Sequence, residues 1–254
     1  MGAKHSRPSA SSARRPEISV VIPALNEERS IAKAIASAQQ IAPDRHCEIV
    51  VVDGGSKDRT VCIAEKMGAK VLLSRPGRGL QMNLGWRHSN GDCVLFLHAD
   101  STLPSGYQGM VKAALSKQQP AQMPSLLWGC FETIDADIPD GLRRCILKQA
   151  VKARTRWRHM PYGDQALFVK ASLIRELGGF KEVPIMEDYD LVKRLRKHGP
   201  PAIIPHALHT SGRRWQTVGF CRTTLTNQAI ILAYHCGVPL QTLAGWYRKG
   251  QSAA

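Results

Sequence analysis

Apolar residues in the first hundred positions fall into short unbroken runs with amphipathic stretches between them. Residues 18–23 (ISVVIP) form a β-branched run of strand length, and 47–53 (CEIVVVD), 70–74 (KVLLS) and 93–98 (CVLFLH) repeat the pattern. Between the first two runs, Ile31, Ala34, Ile35 and Ala38 recur at helical spacing. Gly54-Gly55-Ser56 makes a turn, and Asp58 is placed to cap the helix that follows it. Residues 80–90 read as another helix. Continuous apolar strands alternating with helices predict an α/β fold with a parallel sheet covered on both faces. Ligands of such sheets bind beyond the carboxyl ends of the strands, which selects the loops 23–28, 53–59, 75–83 and 98–104.

The second half is less regular. Residues 126–134 read as a strand, 139–156 as a strongly basic helix and 166–170 as a short strand. A helix is expected over 187–197 with Leu191, Val192 and Leu195 inward, and two terminal helices over 220–236 and 239–247. There is no internal repeat. A weak boundary at 120–124 divides the expected single domain, 17–254, into a ligand-binding half (17–120), a second half (121–218) and C-terminal helices (219–254).

A chain of 254 residues is long enough for a sizeable core, and 43% hydrophobic with 22% charged residues is ordinary for a globular protein. The net charge of +15 is not ordinary; it suits a phosphate-bearing ligand, an anionic membrane surface or nucleic acid, without choosing among them. Seven cysteines, with no CxxC pair and most of them in apolar runs, predict buried reduced thiols in a cytoplasmic protein. No run of about 18 apolar residues predicts a membrane span. Residues 1–16 lack the apolar segment of a signal peptide and read as a disordered basic tail, although Gly2 and Ser6 fit the short M-G-x-x-x-[ST] acylation pattern.

Two strand-end carboxylates carry the first chemical signal. Asp53 directly follows a buried strand, where a carboxylate can accept hydrogen bonds from a base or a ribose; an ordinary turn aspartate is the alternative. Asp100 lies two residues past the fourth strand, where a carboxylate can hold a hard divalent cation bridging two phosphates.

At this point the chain resembles the family-2 glycosyltransferases of the GT-A fold. The blocks ISVVIPALNE (18–27), VVVDGGSKDRT (50–60), GRGLQMNLG (77–85), FLHADSTLP (96–104), GGFKEVPIMEDYD (178–190) and RRW (213–215) stand in the family's order. GRGLQMN, HAD, YGDQA and MEDYDL resemble most a small non-processive bacterial group, often named for occurring beside radical-SAM or selenodomain genes. The resemblance implies a Rossmann-like, mostly parallel sheet flanked by helices, with C-terminal helices. It implies an inverting transferase that takes a nucleotide-diphosphate sugar.

The same resemblance implies roles for residues. Pro23, Ala24, Asn26 and Glu27 match the loop that contacts the nucleotide, Asp53 the base-recognising aspartate, and Arg78, Gly79 and Asn83 the segment lining the nucleotide. His98-Ala99-Asp100 match the metal-binding DxD, with Ala99 beside the nucleotide and Asp100 as the carboxylate for Mn²⁺ or Mg²⁺. Glu187 and Asp188 match the acceptor-side pair, with Asp188 the expected general base. Arg213, Arg214 and Trp215 partly match a late phosphate- and sugar-binding element, and Gln165, in Tyr162-Gly163-Asp164-Gln165, is expected to line the acceptor site. Two departures stand out: Gly54 replaces the second aspartate of VDD, and His98 the first of DxD. The second leaves one carboxylate for the cation, with His209 a further candidate ligand.

Rival readings are weaker or less specific. A nicotinamide-binding fold needs G-x-G-x-x-G after the first strand, where PALNE stands instead. A nucleotidyltransferase shares the topology but releases pyrophosphate. A non-enzymatic module could use the basic stretches 143–158 and 213–222, with Trp157 and Trp215, on a membrane surface or nucleic acid, the latter less favoured. An acceptor at the inner face of the membrane, lipid-linked, fits the same basic surface.

Overall fold

The computed structural model describes residues 16–40, 47–116 and 126–252. The expected tail up to residue 15 and the boundary at 120–124 lie outside the described residues. Strand and helix alternate through β1 (Ile18–Ala24), α1 (Ile31–Ala38), β2 (Cys47–Asp53), α2 (Thr60–Lys66), β3 (Lys70–Leu73), α3 (Arg78–Arg87) and β4 (Cys93–Phe96). The chain continues through β5 (Ser101–Thr102), α4 (Tyr107–Ser116), β6 (Trp128–Ala136), α5 (Gly141–Arg158), β7 (Phe168–Lys170), α6 (Ala171–Glu176) and α7 (Glu187–Leu195). It ends with β8 (Ala202–Thr210), α8 (Arg213–Val218), α9 (Phe220–His235) and α10 (Leu240–Ser252).

One sheet runs in the order β3-β2-β1-β4-β7-β6-β8-β5. β3, β2, β1 and β4 are parallel, as their continuous apolar runs require. β7 then enters antiparallel between β4 and β6, β6 pairs with β8 in parallel, and β5 closes the order against β8. The register sets Ala24 opposite Asp53, so β1 and β2 end flush and their loops leave side by side. Ile31, Ala34, Ile35 and Ala38 are fully buried against one face, while Met82 of α3 and Leu191, Val192 and Leu195 of α7 pack on the other.

Several elements were not legible in the chain. β8 was missed because Pro205, His206 and His209 interrupt its apolar pattern; its burial comes from pairing with β6. The cysteine expectation needs correction as well. All seven thiols are free, yet Cys62, Cys145, Cys221 and Cys236 are exposed. Their apolar neighbours lie on helices with one solvent face, and a thiol is small enough to take either side. Among the described residues no helix is long and apolar enough to cross a membrane.

Candidate active site

The crevice forms where the carboxyl ends of β1, β2 and β4 meet the starts of α3 and α7. Its first wall is two loops zipped together. The amide of Asn26 donates to Ser56 Oγ at 2.8 Å, Glu27 N to Thr60 Oγ1 at 2.8 Å and Glu28 N to Asp58 Oδ2 at 3.1 Å; Lys57 N returns a bond to Asn26 Oδ1 at 2.9 Å. Asn26 holds φ 55°, a left-handed conformation that asparagine tolerates better than most residues, and its side chain stays exposed at the rim. Asp58 accepts from both Thr60 N and Glu28 N, so it starts α2 and joins the two loops.

Asp53 sits beneath this wall, 1% exposed. Its Oδ2 accepts from Gly55 N and Ser56 N, each at 2.8 Å, and its Oδ1 from Ser56 Oγ. The carboxylate closes its own turn, which Gly55 makes feasible at φ 94°. Beside it the buried Gln81 donates to Ala24 O and Val52 O, each at 2.8 Å, clasping the ends of β1 and β2. A Cβ on Gly54 would meet Gln81 Nε2 at 3.0 Å. The glycine that departs from the VDD pattern is thus the space Gln81 occupies, a partnership the sequence reading missed.

The opposite wall comes from α3 and α7. Asn83, expected beside the nucleotide, is 1% exposed and pairs with the backbone of Phe180 in both directions, Nδ2 to O at 2.9 Å and N to Oδ1 at 2.8 Å. It is a staple between α3 and the loop before α7. Gly79 is buried for a related reason, since a Cβ there would lie 2.5 Å from Lys181 O. Arg78 projects from the start of α3, half exposed, with Nη1 3.7 Å from Glu187 Oε1. Burial opposes its charge, but Glu187, Asp188 and Asp100 outweigh that and raise its pKa.

The acidic centre lies between these walls. Met186, at φ 70°, turns the chain into α7 and aims Glu187 and Asp188 inward. Asp188 Oδ2 accepts from Gly163 N at 2.7 Å, and Oδ1 from Tyr189 N at 2.7 Å. A Cβ on Gly163 would lie 3.1 Å from both Asp188 Oδ2 and His98 Nε2, so these groups flank the same point. Burial and then Arg78 push the His98 imidazole down to about 3, leaving it neutral at physiological pH. Burial raises the carboxyls of Asp100 and Asp164; Glu27 adds to the first and Asp188 to the second, while arginines oppose both. Burial and Asp188 likewise raise Glu187, against Arg78. Asp164 Oδ1 is buried with no hydrogen-bond partner. An unpaired buried carboxylate oxygen facing other carboxylates is costly and marks a place for a ligand proton or hydroxyl.

The unanticipated β8 closes the site. Its pairing with β5 sets Ser211 N on Asp100 O at 3.1 Å and brings Arg213 across to Glu27 Oε1 at 2.9 Å. Three other expectations change. Gln165 is fully buried, bonding Phe131 O, Thr155 Oγ1 and Arg154 Nη2 at 2.8 Å each, so it braces the 163–165 turn and presents nothing to an acceptor. His209 turns to the exposed Asp137, its Nε2 3.4 Å from Oδ1. Arg214 bonds Tyr247 Oη and stacks on its ring at 4.1 Å, which ties α8 to α10. Trp215 Nε1 is buried beside them without a partner. Pro23, Ala24 and Ala99 lie largely buried at the strand ends. Among the described residues no three His, Cys, Asp or Glu side chains form a metal-holding group.

Residues 19–123 match the family described as Glycosyl transferase family 2. The probable glycosyltransferase YdaM of Bacillus subtilis (strain 168) is 28% identical over 203 residues, 72% of this chain and 47% of that protein. The chain thus spans about half the length of this curated relative. Two solved structures share the fold: S. aureus TarS 1-349 in complex with UDP-GlcNAc (TM-score 0.60, 19% identity, 77% of this chain and 58% of that one), and glucosyl-3-phosphoglycerate synthase from Mycobacterium tuberculosis in complex with Mn²⁺, UDP and glucosyl-3-phosphoglycerate (TM-score 0.56, 22% identity, 93% and 88%). Residues 19–123 thus match glycosyl transferase family 2, and the chain shares the fold of these two structures.

Proposed function

We propose that the crevice binds a nucleoside-diphosphate sugar and transfers the sugar to an acceptor hydroxyl in one inverting displacement. The observation that carries this reading is the convergence of Arg78, Asp100, Asp164, Asp188 and Arg213 at the carboxyl ends of parallel strands in a family-2 domain. The half 17–120 holds the donor: Asn26 and the 53–56 turn face the nucleoside, and Arg78 and Arg213 face the diphosphate. The half 121–218 supplies the acceptor side through Asp164, Glu187 and Asp188.

In the reaction the acceptor oxygen forms a bond to the anomeric carbon as the bond to the diphosphate oxygen breaks. Asp188 takes the hydroxyl proton; its two backbone donors fix the carboxylate in orientation while leaving lone pairs for the acceptor. Glu187, held by Arg78, and Asp164 position the acceptor. Arg78 and Arg213 stabilise the charge that gathers on the leaving diphosphate. Glu27 adds to the raised pKa of the buried Asp100, and Mn²⁺ or Mg²⁺ held by that carboxylate would relieve the repulsion between the two acids. Such a cation would neutralise charge on the diphosphate. Free thiols throughout support a reducing, cytoplasmic setting.

The test is product analysis with UDP-, GDP-, ADP- and TDP-sugars and Mn²⁺, with water as the fallback acceptor. Release of nucleoside diphosphate that disappears in Asp188→Asn supports the reading. Release of pyrophosphate would instead establish nucleotidyl transfer.

A further inference from the structure

We propose that the outward face of α5 docks the protein on an anionic lipid surface. Only one side of this 18-residue helix is used by the fold: Val151 and Thr155 are buried, and Thr133 Oγ1 of β6 donates to Lys148 O at 2.9 Å. The opposite side carries Leu142, Cys145, Ile146, Ala153 and Trp157 at helical spacing, with the polar Gln149 between Ile146 and Ala153. Leu142 is 72% exposed, Ile146 52% and Trp157 85%. Isolated exposed apolar residues need no explanation, but an aligned stripe ending in an exposed tryptophan does.

Charge selects the occupant. α5 contains seven lysines and arginines and no acid. Four of these cations pair with only three carboxylates: Arg143 with Asp140, Arg144 with Asp135, and both Lys152 and Arg156 with Glu132. Positive charge is therefore in excess on this helix, and next to the stripe Lys152 and Arg156 share the single carboxylate of Glu132. An apolar strip flanked by long basic side chains, with tryptophan at one end, matches a bilayer interface, where the basic heads reach anionic headgroups. A nucleic acid would use the cations and leave the leucine and isoleucine without a partner. A second copy docked through the same face would bring two acid-free basic helices together.

The helix also leads into the site. Arg154, near its end, bonds Gln165 at 2.8 Å and lies over the Tyr162 ring at 3.3 Å, beside the 163–165 turn. A surface-bound α5 places the acceptor side of the crevice close to the lipid headgroups. The docking itself does not depend on the transfer reading.

The experiment is sedimentation of the full chain with phosphatidylcholine vesicles, with and without phosphatidylserine, comparing wild type with the double variant Leu142→Glu/Ile146→Glu. Both positions are exposed, and an unchanged melting temperature confirms the fold. Wild type should pellet with the phosphatidylserine vesicles, and the bound fraction of the variant should fall by at least about tenfold. Four results would overturn the proposal: no wild-type binding to phosphatidylserine vesicles, equal binding by the variant, a duplex oligonucleotide released by the same variant in place of vesicles, or a wild-type dimer that the variant dissolves. Nucleotide-sugar binding should be equal in both proteins, so a failed donor reading shows as absent binding in both and is distinct from failed docking.

Discussion

Replacing Asn83 with alanine tests whether that residue is scaffold or ligand contact. Its amide satisfies both the N–H and the C=O of Phe180, at 2.8 and 2.9 Å, and accepts from Trp86 Nε1 at 3.1 Å, all around a side chain 1% exposed. Truncation leaves two buried backbone groups without partners, each costing about 1–3 kcal/mol, or roughly 2–6 kcal/mol together. For a chain of this size each kcal/mol lowers the melting temperature by about 2–4 °C, so Asn83→Ala should melt about 4–24 °C lower. Asn83→Asp keeps the acceptor for Phe180 N but turns a carboxylate on Phe180 O, and should lose a comparable amount. Thermal and urea denaturation measure both. A loss below about 0.5 kcal/mol, the range of ordinary surface changes, would refute the staple. Donor titration supplies the second half: folded Asn83→Ala should bind nucleotide sugar within about tenfold of wild type, since the amide is spent on the backbone.

Three further outcomes follow from the geometry. Gly163→Ala inserts a methyl 3.1 Å from both His98 Nε2 and Asp188 Oδ2, and should lower turnover by about 10²-fold with little change in melting temperature; full activity would show that the two groups have slack. His98 has a folded pKa near 3 against 6.5 when free, so its contribution is complete above about 6.5 and is lost as pH falls towards 3. The deficit of His98→Gln relative to wild type, followed by urea titration, should therefore shrink between pH 7 and pH 4; a constant deficit contradicts the buried neutral imidazole. Asp100→Ala and Asp188→Ala should each remove transfer while retaining the fold, with Asp100→Ala also abolishing any stimulation by Mn²⁺; near wild-type turnover in Asp188→Ala would exclude it as the base.

The parallel half of the sheet was legible because buried strands such as 47–53 carry continuous β-branched runs, and Ile31 to Ala38 keep a helical period. β8 was not, since a strand with an exposed edge of Pro205 and His206 has no clean alternation. Of the residues expected in the site, Asp100, Glu187 and Asp188 act on Arg78, and Asp100 acts on Arg213. What local pattern could not supply is where polar side chains spend their hydrogen bonds. Gln165 and Asn83 are exposed types by composition, but tertiary contacts bury them and engage their amides. Conversely, Gln81 looked like one polar residue in a helix, and only the close approach to Gly54 reveals its role. Asp164 stands in the 162–165 segment expected at the acceptor site, but its unpaired oxygen is visible only in three dimensions.

The central claim is that the crevice binds a nucleoside-diphosphate sugar. Calorimetric titration of the purified chain with UDP-, GDP-, ADP- and TDP-sugars in the presence of Mn²⁺ tests it most directly. At least one donor should bind with a stoichiometry of about one, raising stability by about 2.7 kcal/mol at a hundredfold excess over Kd, and binding should weaken in Arg213→Ala. No heat and no stabilisation with any of the four would contradict the account.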